Sequence, residues 1–280
     1  MPKVTDLQYQ LEGFLIEKMD CIHTRVTKRK LDGIFLIDGD EGFGKTGISI
    51  LLAKYIAWKT DREFNLDHIF FDPKELIAYI NSTKKQVIIW DEAALGGLAS
   101  GWQNKVQQMV IQTLMTCRSR QHIIFFNCPK FYRLNKYFVM DRAEGLIHVY
   151  SENRIDAGKV AYFKKDQLEY MMEYWTKKHK HPYKVFYRKQ LRGNFIDAFK
   201  LDILSEDAYD KKKDSYTEKL LSQYSNDRYN EKLLKLQHSV YKMQGITQKE
   251  KSKCIGLGTD TISAWGKIPS KYPEIFKEVA

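Results

Sequence analysis

Residues 39–46 read Gly-Asp-Glu-Gly-Phe-Gly-Lys-Thr, a complete G-x-x-x-x-G-K-[ST] pattern. The chemistry open to such a run is polyphosphate binding. Its glycines let successive backbone N–H groups curl round an anion, and a helix N-terminus behind it adds positive potential. Lys45 would reach the β- and γ-phosphates, and the Thr46 hydroxyl would ligate Mg²⁺. The expected ligands are therefore ATP and Mg²⁺, on Gly39, Asp40, Glu41, Gly42, Phe43, Gly44, Lys45, Thr46 and Gly47. A plain glycine-rich turn is the alternative, and a second motif weighs against it. Val87-Ile88-Ile89-Trp90-Asp91-Glu92 is an apolar, β-branched run ending in two carboxylates. In that place Asp91 holds the metal through water, and Glu92 is the base that orients and polarises the attacking water. The acid pair favours hydrolysis over transfer to a substrate hydroxyl; a structural carboxylate is the other reading of Glu92.

Three further sites could complete the chemistry. Asn127 closes a later apolar run and can sense the γ-phosphate, or it is a turn residue ahead of Pro129. Arg118 and Arg120 close the helix before that run. In ring-forming ATPases an arginine near this place projects into the neighbouring subunit's site and offsets charge on the transferring phosphate. A pair of surface cations is the alternative, and Arg142 is a third candidate.

The elements around these residues must hold them. Ile34–Ile37 is a short apolar strand ahead of the loop, and 47–56 has helical apolar spacing behind it. Residues 5–30 form a helical lead-in, with Leu7, Leu11, Phe14, Leu15, Met19 and Ile22 in register. Further strands fall at 68–71, 87–91 and 122–127, with helices from Pro73 to Tyr79 and from Trp102 to Ser119. The latter carries a stripe of Val106, Met109, Val110, Thr113, Leu114 and Cys117. Residues 145–150 and 159–163 make an antiparallel pair joined through Asp156-Ala157-Gly158. The alternation implies an α/β class with a mostly parallel sheet covered on both faces.

At 280 residues the chain can bury one sizeable core and a small second domain. Its apolar runs are short of a membrane span, and Met-Pro-Lys-Val-Thr-Asp has no signal-peptide pattern. Cys21, Cys117, Cys128 and Cys254 are scattered, as reduced thiols of a cytoplasmic protein would be. The net charge of +11 is uneven. Lys177, Lys178, Lys180, Lys184, Arg188, Lys189 and Arg192 follow one another without an acid, and Tyr183, Phe186 and Tyr187 are interleaved. Such a stripe fits a polyanion-binding surface, for which DNA is the expected partner, or else a solvated basic face or flexible turn. His179 and His181 belong to that patch and not to a metal site.

Past residue 204 the composition shifts. The domain reading is 1–204 for the nucleotide domain, 205–243 for a charged helical linker and 244–280 for a small all-α domain. Residues 207–219 read as solvated, while 220–243 is amphipathic, with Leu233, Leu236 and Val240 on one side. In the tail, a helix opening at Thr247, a Gly256-Leu257-Gly258 break and a helix from Thr261 resemble a helix-turn-helix. Ser252 stands where the helices approach, Ile262 and Trp265 pack the second helix, and Thr259, Asp260, Thr261 and Ser263 would face DNA. Lys251 stands where such motifs are usually apolar. A helical hairpin that only packs is the alternative.

Together, the glycine loop, Ile-Ile-Trp-Asp-Glu, the Arg118/Arg120 region and Phe-Phe-Asn-Cys-Pro resemble the FtsK/HerA-type branch of P-loop ATPases over about residues 30–165. That branch includes viral genome-packaging ATPases, DNA pumps of mobile elements, and filamentous-phage assembly ATPases similar to zonula occludens toxin. The resemblance implies a RecA-like core, a hexameric or pentameric ring and ATP-driven movement along DNA; a portal or other viral or mobile-element protein is an expected further partner, and the short apolar runs lead us to expect no membrane partner. By match, Lys45 and Thr46 would bind phosphate and metal, Asp91 would hold the metal, and Glu92 would be the base. Asn127 stands where Gln is common, and a C-terminal helix-turn-helix is not universal in the branch. An ATP-dependent DNA-binding regulator without sustained translocation is the second reading. A nucleotide-gated transcription factor is the third, and a P-loop kinase is the weakest.

Overall fold

A computed structural model describes residues 11–91, 100–153, 156–186, 191–225 and 228–271. The chain divides into two units, Met1–Tyr216 and Thr217–Ala280. The first is built on a sheet of seven strands among the described residues, in the order β2-β3-β4-β1-β5-β6-β7. These are β1 Gly33–Gly39, β2 Ile69–Phe70, β3 Val87–Asp91, β4 Ile123–Cys128, β5 Gly145–Tyr150, β6 Lys159–Lys164 and β7 Leu191–Asn194. The first five in space run parallel; β6 and β7 are antiparallel additions. The apolar runs expected as strands are all present. The 68–71 run is shorter than expected, because His68 belongs to a 3₁₀ turn, Leu66–His68, capped by Asn65.

Strand β1 is buried along its whole length, so it takes an apolar residue at nearly every position. Side chains alternate between the two faces of the sheet. Odd-numbered residues of the central strands (Phe35, Ile37, Val87, Ile89, Ile123, Phe125) share one core with α1 Gly13–Lys28 and α2 Lys45–Lys59. Even-numbered ones face α3 Pro73–Ser82, α4 Ser100–Thr116 and α5 Lys165–Lys178, as where Trp90 and Phe126 meet Val110 and Phe138. Each fully buried Leu, Ile or Phe contributes about 1.5–3 kcal/mol, and these two cores hold the strand ends in place.

Helix α2 is apolar almost all round, because the sheet lies on one side and α1 and later segments on the others. Helix α1 buries Leu15, Met19, Ile22 and Val26, close to the expected stripe; Leu7 lies outside the described residues. In α4, Val110, Thr113 and Leu114 are buried as expected, as is Cys117 just beyond its end, but Met109 is exposed; the Val106 side chain lies outside the described residues. It sits one step outside the buried arc, so the buried stripe is one residue narrower than its spacing predicts.

Helix α6, Glu206–Ser225, starts in the first unit and crosses into the second. The second unit continues with α7 Arg228–Lys242, α8 Gln248–Ile255, α9 Thr259–Trp265 and α10 Ile268–Lys271. Thr247 and Glu250 form a capping box at α8, and Gly256 ends that helix at φ 73. Ile262 is fully buried, and Thr259, Asp260, Thr261 and Ser263 are exposed. Lys251, the polar residue at an apolar position, is buried with its ammonium donating to the carbonyls of Tyr241 and Met243, 2.7 Å each. It caps the end of α7, where helix carbonyls lack partners and cations are favoured. Leu233 and Leu236 correct the expected apolar side of α7: both are exposed, Leu236 to 60%. Among the described residues no helix is long and apolar enough to cross a membrane.

Candidate nucleotide site

The glycine run joins β1 directly to α2. Gly39 has φ 148, and a Cβ there would meet the Val149 carbonyl oxygen at 2.1 Å; Gly44, at the N-cap of α2, has φ 93. Both positions need glycine, and the turn they permit aims the first N–H groups of α2 into the loop. No side chain caps this helix. Those N–H groups are the donor set an anion requires.

Lys45 folds back over the loop, its ammonium donating to Gly39 O at 2.8 Å and Asp40 O at 2.9 Å. Burial lowers its pKa, and the charge of Asp91 is the largest opposing influence. Thr46 Oγ1 donates to Asp91 Oδ2 at 2.7 Å. Two motifs 45 residues apart are thus in direct contact at the ends of strands that are not neighbours. Strand β4 lies between β1 and β3, and Asn127 pairs in register with Asp91 on one side and Ile37 on the other. Asn127 is 1% exposed and accepts from Ser49 Oγ of α2 at 2.5 Å, and its Nδ2 has no hydrogen-bond partner. A buried amide donor without a partner beside a carboxylate and a hydroxyl suits a site completed by a polar ligand. Hard oxygen donors from a threonine and a carboxylate fit Mg²⁺, and the residues present therefore fit Mg²⁺ with a nucleoside triphosphate.

The loop is braced from the other face of the sheet as well. Asp38, fully buried, bonds His148 Nδ1 at 2.8 Å, the Tyr183 hydroxyl at 2.5 Å and the Phe131 amide at 3.2 Å. Burial, and then Asp38, push the Tyr183 phenol pKa upward, so it stays a donor. Tyr183 was expected among the aromatics of a basic surface stripe. It turns inward instead, stacking on His148 at 4.0 Å. From below α2, Asp197 and Phe195 close on the loop: a Cβ on Gly47 would stand 2.4 Å from the Asp197 carboxylate.

The remaining expected residues fall elsewhere. Glu92 lies outside the described residues, as do Arg188 and Lys189. Arg118 and Arg120 stand in a 3₁₀ turn before β4, at the opposite end of the parallel strands from the loop, and Arg120 donates to Thr83 O at 3.1 Å. They do not reach their own chain's site. Arg142 is no finger of any kind: it is buried in an ion pair with Asp32. Lys177 pairs with Glu173. Lys180 and Lys184 share a cleft of about 770 Å³ with Lys130, Arg133, Tyr174 and Trp175, and no acid lines it. Arg192 lines an adjoining pocket that shares Lys184 with that cleft, beside His148, Tyr150 and Glu152. Lys130 also pairs with Asp40 of the loop at 2.9 Å.

Sequence reading missed Ser49, Asp38 and Tyr209. Asp38 left one trace, a lone acid at the end of an apolar strand. Tyr209 had been placed in a solvated segment, yet it is 4% exposed and its hydroxyl donates to Asp91 Oδ2 at 2.8 Å. Burial first, then the charge of Asp91, raise its pKa and keep the proton on.

No family model matches the chain, and no curated protein matches it. Among solved structures, the N-terminal domain of zonular occludens toxin from Neisseria meningitidis is similar, with 16% identity and a TM-score of 0.37. The match covers 64% of this chain and 98% of that domain.

Proposed function

We propose that this chain is an ATPase that uses Mg²⁺ at the 39–47 loop. The observation that carries the reading is the Thr46–Asp91 hydrogen bond, closed over a loop whose lysine is already folded inward. When bound, the metal supplies charge neutralisation across the β- and γ-phosphates. The loop amides and Lys45 hold the phosphates, Thr46 and Asp91 hold the metal, and Asn127 Nδ2 is a free donor beside them. Glu92, next in chain to Asp91, takes the proton of the attacking water. Glu92→Gln should leave ATP bound and cut turnover by about 10²-fold or more, the scale of a general base. Turnover at the wild-type rate would remove Glu92 from that role.

We further propose DNA as the partner, and an oligomeric DNA-moving or packaging motor as the process. What supports this is the acid-free cleft of cations and aromatics, the exposed polar face of α9 and the sequence resemblance. Aromatic rings there can stack on bases while cations meet phosphates. In a ring, Arg118 is exposed and available to a neighbouring subunit. Neutralising Arg133, Lys180 and Lys184 together should weaken binding to every sequence alike. The slope of log affinity against log salt should flatten by roughly one unit per lost phosphate contact. Unchanged affinity and slope would take DNA away from the cleft. A regulator without sustained movement is the competing reading, and ATP-driven displacement of a DNA-bound roadblock separates the two.

A further inference from the structure

Helix α6 carries Tyr209, Lys212, Lys213 and Tyr216 at the spacing of one helical face. All four belong to the first unit and meet its other residues or one another. Lys212 donates to Leu66 O at 2.8 Å and lies 5.7 Å over the Phe70 ring; Tyr216 stacks on Phe71 with ring centres 6.0 Å apart. Tyr209 is held between Phe71 and Phe199, ring centres 5.6 and 5.2 Å away, with Lys213 over its face. Its hydroxyl reaches further, to Asp91 and to the side chain of Thr46.

The choice of oxygen matters. Thr46 and Tyr209 both donate to Oδ2 of Asp91, and Oδ1 receives no hydrogen bond from any described residue. Two donors on one oxygen fix the rotation of a carboxylate and leave the other oxygen presented. That is the arrangement an outer-sphere metal contact needs. A tyrosine is suited to it, because its ring is immobilised by packing before its hydroxyl is used.

We propose that Tyr209 is a positioning residue of the metal half of the site, setting the Asp91 carboxylate and making Mg²⁺-dependent nucleotide affinity depend on the docking of α6. This rests on the nucleotide reading above and adds to it a residue 118 positions from Asp91, which no motif contains. Coupling of this kind is reciprocal: Mg²⁺ with nucleotide should in turn tighten residues 206–216 against the rest of the first unit.

The test uses the full-length chain and a non-hydrolysed ATP analogue, titrated with Mg²⁺ and again with EDTA. Tyr209→Phe keeps the ring and loses the hydroxyl. It should weaken binding about 10-fold in Mg²⁺, the low end of losses for partners behind metal ligands, and leave binding in EDTA unchanged. Hydrogen exchange across 206–216 should slow when Mg²⁺ joins the analogue in the wild type, and not in the variant. In an Asp91→Asn background the tyrosine substitution should add nothing. Equal affinities of Tyr209→Phe and wild type in Mg²⁺, where the wild type shows a clear metal dependence, would overturn the proposal and leave the nucleotide reading standing. So would a loss that is the same in EDTA, since the hydroxyl would then serve the loop and not the metal. A wild type that binds no analogue in either buffer would bring down both.

Discussion

Lys45→Ala is expected to leave the chain without measurable ATP turnover, with nucleotide affinity down by about 10²-fold or more. Loss of a single donor to developing charge costs about 10²–10³ in rate, and this donor carries a full charge. Among the described residues it is the ammonium held inside the loop, 2.8 and 2.9 Å from the carbonyls of Gly39 and Asp40. Lys130, the next cation, is committed to Asp40 and stands outside. Lys45→Arg should fail nearly as badly, because a planar fork cannot replace a point charge in so small a turn. Thermal melting gives the control. Burial disfavours the charged form of Lys45, so its removal should leave the midpoint unchanged or raise it. Turnover at the wild-type rate, measured as phosphate release, would mean that the loop is not the site of hydrolysis.

Asp32→Ala or Arg142→Ala should cost about 3–5 kcal/mol of folding stability, the range for removing one partner of a buried ion pair. The side chains are 3% and 4% exposed and bonded to one another, and Arg142 Nε already has no partner. Asp32 precedes β1 and Arg142 closes the turn before β5, so the pair ties the loop-distal ends of two adjacent parallel strands. Replacing both with apolar residues of similar size should recover most of the loss, because no uncompensated charge then remains. Urea unfolding of the two single variants and the double variant measures this. Singles that unfold at the wild-type midpoint would show the pair to be energetically idle. Nucleotide affinity of the folded fraction should not move, since the site is at the other end of the strands.

How far the sequence could be read depended on the distance over which each signal acts. The glycine loop, its strand and its helix are contiguous, and their residues specify backbone shape directly. The Asp91 strand was legible because a β-branched run with terminal acids has few other uses. The order of the strands follows only from assuming the usual order of such sheets, and that order sets Asn127 beside Asp91. Arg118 and Arg120 show the same gap: their nearness to Asn127 in sequence says nothing of which end of the sheet they occupy. Tyr183 and Tyr209 illustrate a second limit. Each sits in a stretch of lysines that reads as solvent-facing, and each is drawn inward by a buried aspartate over a hundred residues away. Period and charge report the average environment of a segment, and a single inward tyrosine does not change that average.

The alternation of faces in β1, β3 and β4 has an outcome for how this chain can vary. Asp91 and Asn127 point to α2, while Asp38 and His148 point the other way to Tyr183. Adjacent residues therefore serve separate compartments. A deletion of one residue inside β4 would bring Cys128 opposite Ser49, an insertion would bring Phe126 there, and either would turn the Asn127 amide to the other face of the sheet, with every later neighbour exchanged. Substitution can adjust these strands one contact at a time; a change of length cannot. A change of length is therefore tolerable only outside these strands, whose spacing is as much a part of the site as their residues.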